Sequence, residues 1–163
     1  MTYPENISIT ELKCEVPLQD LIDHTTKRLV LHLGLNFTNN EKLKLTFKYG
    51  MDGTNAKCFK QKAENPAAFC DSVFSISLLP LQLEMKNTES ILWKNPRPSS
   101  TRFCRPIKIS FEKETDELCK AEEQNLLQQI SQLKDVEVAG CSISAVMILT
   151  MIDGKVIQFI YLV

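Results

Sequence analysis

Histidine is scarce in this chain: there are two, His24 and His32, in 163 residues. The six cysteines, at 14, 58, 70, 104, 119 and 141, form no C-x-x-C pair. A structural zinc ion needs several such ligands at close spacing, so no zinc site built from this chain alone is expected. Long apolar runs are also missing. The apolar stretches fall well short of the roughly 18–20 residues that cross a bilayer. Met1 to Glu15 lacks the basic-then-apolar pattern of an export signal. The expectation is therefore a soluble intracellular protein whose cysteines are reduced, mostly buried thiols. A phosphate-binding glycine loop, G-x-S-x-G and H-E-x-x-H are all absent. So is a surplus of positive charge: 19 Lys plus Arg face 20 Asp plus Glu, a net charge of −1. A protein that grips nucleic acid unaided usually carries a basic excess. Either nucleic acid is not the partner, or most of the gripping surface lies elsewhere.

What is present is enough apolar material, 44% of residues, for one domain with a core. Pro17 suits the first position of a helix, and Leu18, Leu21, Ile22, Thr25, Leu29 and Leu33 recur at helical spacing up to a stop at Gly34. Leu43 to Tyr49 alternates apolar and polar residues, the mark of a half-buried strand. Residues 54–71 read as a polar loop. Ser72 to Met85 is strand-like, with Pro80 bending it or placing it on an edge. Ser90 to Lys94 and Ile107 to Phe111 are short strands, separated by a proline-rich stretch that cannot be helical. Thr115 to Leu133 is the clearest helix, with Thr115 as N-cap and Asp116 and Glu117 in the first turn. Its apolar face reads as cover for a sheet in preference to a coiled-coil seam. Beyond Gly140, residues 143–152 and 155–163 are β-branched and apolar, and Asp153-Gly154 between them favours a hairpin turn. The fold class is α/β.

Two places could carry chemistry. Asp52 follows the first alternating strand, between Gly50 and Gly53. A carboxylate held rigidly at a strand end is what two-metal nucleases need, but Asp-Gly after a strand is equally the sequence of a turn. The second is Lys94 to Lys108, with five basic residues, no acidic one, three prolines and hydroxyls at 99–101. Arg97, Arg102 and Arg105 could contact DNA phosphates. The alternative is a rigid solvated loop whose arginines pair with carboxylates elsewhere in the fold.

Three segments in order resemble one known family. Phe47-Lys-Tyr-Gly-Met-Asp-Gly-Thr54 is similar to a first catalytic strand that ends in an Asp-Gly pair. Trp93-Lys-Asn-Pro-Arg-Pro-Ser-Ser-Thr-Arg-Phe-Cys-Arg-Pro-Ile107 is similar to that family's strand and proline- and cysteine-containing loop, and Lys113 to Leu118 to the start of the helix that follows. Leu149-Thr-Met-Ile-Asp-Gly-Lys-Val156 is similar to the segment before its zinc-binding cysteine pair. The family is the catalytic subunit of the V(D)J recombination-activating proteins and their transposon-derived invertebrate relatives. The resemblance covers about residues 40–156.

The resemblance implies a partial RNase H-like fold: antiparallel strands, a covering helix and a C-terminal β-hairpin, with an N-terminal helix in front. The implied division is an N-terminal helical segment, 1–40, and a truncated RNase H-like domain, 41–163. The family nicks DNA and joins the new end to another strand in the nucleus, using two Mg2+ or Mn2+ ions held by several carboxylates. Asp52 is the catalytic and metal-binding position that carries over. Asp153 sits in the expected hairpin turn and does not. The family's other acidic residues lie past the cysteine pair, beyond Val163. The chain is thus expected to be a truncated product, a domesticated remnant or one part of a larger protein. It should hold no metal stably and contact DNA weakly if at all, with the missing C-terminal part of the enzyme as a candidate partner. The competing expectation is a non-catalytic DNA-binding or protein-interaction module on the same fold.

Overall fold

The structure, a computed structural model, describes residues 3–37, 40–55 and 72–151. Of the expected loop over 54–71, Thr54 and Asn55 are strand and not loop, and the rest lies outside the described residues, as does the turn Asp153-Gly154 of the expected C-terminal hairpin. The strands are β1 (Ser8–Ile9), β2 (Lys13–Glu15), β3 (Glu41–Asn55), β4 (Ser72–Met85), β5 (Ile91–Lys94), β6 (Arg105–Ser110), β7 (Val136–Val138) and β8 (Cys141–Met151). Two helices interrupt them, α1 (Leu18–His32) and α2 (Asp116–Ser131), with a 3-10 turn at Thr101–Phe103.

All of these strands join one mixed sheet, in the order β1-β2-β6-β4-β3-β8-β7, with β5 added to β4. The ladders from β2 to β3 are antiparallel, and β8 returns parallel to β3 after α2. A parallel neighbour requires a crossover connection, and α2 is part of it. The alternation expected at 43–49 is real: Leu43, Leu45, Phe47, Tyr49 and Met51 are all buried. They form one core with Leu18, Leu21, Ile22 and Val30 of α1 and Cys119 and Leu126 of α2. Both helices therefore cover the same face of the sheet. Val146 and Ile148 alternate with core residues on β8 and are exposed. Among the described residues no helix is long and apolar enough to cross a membrane.

The helix ends follow from local chemistry. Pro17 is the N-cap of α1, one residue earlier than expected, and cannot cap with its side chain. The carboxamide Oε1 of Gln129, on α2, instead accepts from the Leu18 amide at 3.0 Å, which ties the helices together. At the other end Gly34 has φ +63°. Its amide donates to Leu31 and that of Leu35 to Val30, the paired bonds of a Schellman stop. The hydroxyl of Thr115 accepts from the Leu118 amide at 3.2 Å and caps α2, which starts and ends within two residues of its expected bounds.

Of the two roles expected for Pro80, a bend or an edge position, the structure shows the bend: β4 is an inner strand, and Pro80 pairs with Phe47 on one side while on the other it falls between the β6 ladder, which ends at Leu78, and the β5 ladder, which begins at Gln82. The strand absorbs the proline at a bulge, where the partner of Thr46 is Gln82 and that of Phe47 is Pro80, leaving Leu81 extra. The expected N-terminal helical segment, 1–40, also holds strands: β1 and β2 precede α1, and β2 extends the sheet on β6. A tight hairpin joins β7 to β8 through Ala139 (φ 51°) and Gly140 (φ 74°), the left-handed pair of a type I′ turn. A Cβ on Gly140 would fall 1.9 Å from the Phe37 carbonyl oxygen, so this corner admits only glycine.

Cys119 and Cys141 are buried, while Cys14 and Cys104 are half-buried, and all four are free thiols. Burial, then the nearby Glu114 carboxylate, pushes the Cys119 thiol up; burial, then Glu137, does so for Cys141. Alkylation followed by peptide mass spectrometry at mildly alkaline pH should label Cys14 and Cys104 well before Cys119 and Cys141. A raised thiol pKa in the folded state contributes stability below the unfolded value of about 8.5, and that contribution is lost as pH rises through the folded value. Equal labelling rates at all four positions would contradict this placement of the core.

Candidate functional site: the Asp52 strand and the arginine loop

Asp52 does not end its strand. It pairs with Ser75, Gly53 pairs with Phe74, and the ladder continues to Asn55 and Ser72. This corrects both sequence readings, the strand end and the Asp-Gly turn. The turn fails because β4 begins early enough to pair with the whole dipeptide. Glycine is needed at 53 for a different reason. A Cβ there would lie 2.5 Å from Cβ of Glu114. In its absence the Glu114 carboxylate reaches over the strand and accepts from the Gly53 amide at 3.0 Å.

Successive side chains on a strand point to opposite faces. Met51 faces the helices and is buried, so Asp52 projects from the other face, where it is exposed. Glu114 lies on the helix side, with the sheet between the two acids. Among the described residues no three His, Cys, Asp or Glu side chains gather as a metal site. One solvated carboxylate cannot hold two divalent ions, which need several oxygen ligands each. The described residues thus do not fit the Mg2+ or Mn2+ pair that the family resemblance implies. Asp153, read as a turn residue, lies outside the described residues.

The arginine loop is built from its own hydrogen bonds. Asn95, 5% exposed, is its anchor. Its side-chain amide donates to the Pro80 carbonyl at 2.8 Å, its backbone amide to Leu81 at 2.8 Å, and its Oδ1 accepts from the Arg97 amide at 2.9 Å. The β4 bulge and the loop therefore brace each other. Ser100 caps the 3-10 turn by accepting from the Arg102 amide at 3.3 Å. Arg97 and Arg102 are exposed. Arg105 is half-buried, and its Nη1 donates to the carbonyls of Arg102 (2.9 Å) and Cys104 (3.0 Å). Among the described residues none of the three arginines pairs with a carboxylate. Within the described residues, the alternative in which the arginines pair with carboxylates of the fold finds no support. Lys108 behaves differently: 6% exposed, it is held by Glu122 and Glu112 beneath α2.

Asp52 and the arginines are not brought together. The loop leaves the sheet beside Pro80, five residues along β4 from Ser75, which is roughly 17 Å at about 3.3 Å per residue. Arg105 pairs with Leu78 on the helix side of the sheet. Here it meets residues of α1. His24, Arg28 and His32, spaced by four, line a cavity of about 210 Å3 together with Arg105, Trp93 and Phe103. The rings of Trp93 and Phe103 are 6.3 Å apart and tilted by 54°. Sequence reading weighed the histidines only as zinc ligands. The i, i+4, i+8 spacing of His24, Arg28 and His32 was the signal that put them on one helix face.

A comparison with family models and curated proteins gives no match to the chain.

Proposed function

We propose that the chain is the front part of an RNase H-like DNA recombinase, a DNA-contacting sheet domain that does not cut DNA by itself. The observation that carries this reading is the sheet. Three antiparallel strands, β6, β4 and β3, are followed by a covering helix, and the strand bearing Asp52 is central, as that fold requires. In this reading the metal-holding carboxylates that complete the site come from further polypeptide, and the setting is the nucleus. A second reading, a DNA-binding module that keeps the fold without the chemistry, is favoured by a contrast among the described residues: no cluster of acidic side chains joins Asp52, and the loop arginines pair with no carboxylate.

Both readings are tested by one pair of measurements on the purified chain. No nicking of supercoiled DNA above background is expected in Mg2+ or Mn2+. Duplex binding through Arg97, Arg102 and Arg105 should be weak, independent of sequence and salt-sensitive. Three phosphate contacts give a log–log salt slope of about −2.7. The net charge of −1 keeps the affinity low, because the rest of the surface does not attract the duplex. Robust cleavage abolished by Asp52→Ala would overturn the claim that the chain is catalytically incomplete. A salt slope unchanged after all three arginines are replaced by alanine would remove the loop from the DNA-contacting surface.

A further inference from the structure

We infer that the cavity between α1 and the arginine loop receives a single unstacked nucleotide, its base against Trp93 and Phe103 and its phosphate against Arg105 and His32. This deepens the DNA reading above and rests on it for the choice of a nucleotide among aromatic anions. The cavity itself stands on separate observations.

Size comes first. At about 210 Å3 the space is below the roughly 300–1,000 Å3 of pockets for drug-sized ligands, so it suits one base or one phosphate-bearing unit. Charge comes next. His24, Arg28, His32 and Arg105 line it, and among the described residues no Asp or Glu does. In a protein with balanced charge, this is a local concentration of cationic and donor groups. The Arg105 guanidinium is also pre-oriented, because Nη1 is fixed on two backbone carbonyls while the rest of the fork remains to meet a phosphate.

The apolar wall has a matching shape. Trp93 and Phe103 both line the cavity, and their rings are tilted by 54° and not stacked on each other. Sequence-tolerant binding of single strands combines such aromatic platforms with basic side chains at the backbone. The walls are rigid: α1 is locked at its stop by Gly34, and Asn95 pins the loop to β4. A pre-formed site loses less to ordering on binding.

Trp93 is the one tryptophan in the chain, so its fluorescence reports the cavity directly. A short single-stranded thymidine oligonucleotide should quench it in a saturable way, and inorganic phosphate alone should not. Thymidine monophosphate distinguishes the two sources of the ligand: equal affinity points to a free nucleotide, and much weaker binding to a strand. Base–aromatic stacking is expected to carry about tenfold or more of the affinity, so Phe103→Leu should weaken binding by that factor. Arg105→Ala and His32→Gln should weaken it too, with thermal melts confirming that each variant folds. Arg97→Ala with Arg102→Ala should reduce duplex binding and spare the quenching. Absence of saturable quenching by either ligand, or quenching indifferent to Phe103→Leu and Arg105→Ala, overturns the inference. Duplex binding without quenching sinks this site and leaves the proposed function standing. Quenching by the monophosphate without duplex binding does the reverse.

Discussion

Replacing Phe47 by alanine is expected to lower the free energy of unfolding by about 3–5 kcal/mol. The side chain is fully buried, on the strand flanked by β4 and β8. Its backbone partners are Pro80 on one side and Met147 on the other, at the step where the β3–β4 register shifts. Neighbours braced by a bulge and a parallel ladder cannot easily collapse into the space left behind, so the cavity term adds to the lost transfer energy. Domains of this size are stable by only about 5–15 kcal/mol, so the variant should sit close to unfolding. Chemical denaturation checks this, with Val146→Ala as the contrast. Val146 is 39% exposed on the opposite face and should change stability by about 0.5 kcal/mol or less. Similar midpoints for the two variants would mean that the buried face has been assigned the wrong way round.

How far the fold could be read in advance depends on how local each signal is. The burial of Leu43, Leu45, Phe47, Tyr49 and Met51 is visible as strict alternation, and the sheet honours it. The α1 stop is visible because only glycine takes φ +63° without strain, and Thr115 is visible as a cap because its hydroxyl serves the next turn. Long-range pairing is another matter. The parallel match of β3 with β8 joins residues about a hundred apart, and no local pattern specifies its register. The type I′ turn at Ala139-Gly140 was hidden because alanine carries no turn preference, while Asp153-Gly154 advertised one. The candidate site suffers most from this limit. Asp52 and each arginine could be picked out by type. The separation of Asp52 from the loop, the anchoring role of Asn95 and the meeting of α1 with Arg105 exist only after folding.

The fate of Lys108 shows the same limit and yields the second large effect. In the sequence it closes the basic run from Lys94, next to the three arginines expected to meet phosphates. In the fold it pairs with Ile76 on the helix side of the sheet, where its side chain is 8% exposed and bonded to Glu122, itself 14% exposed, with Glu112 at 3.6 Å. Removing one member of a buried pair strands the other charge, which typically costs about 3–5 kcal/mol; replacing both with apolar residues of similar volume is often close to neutral. Glu122→Leu alone should therefore destabilise strongly, at the lower end of that range because Glu112 remains near. Lys108→Met combined with Glu122→Leu should recover most of the loss. A double-mutant cycle by chemical denaturation gives the coupling, expected in the range of about 1–3 kcal/mol. The same double variant separates stability from binding. Its ammonium is already matched by carboxylates inside the fold, so its loss should leave the salt slope for duplex DNA near the three-arginine value of about −2.7. A slope shallower by about one unit would show that Lys108 reaches a phosphate after all, and that the ion pair under α2 opens when DNA binds.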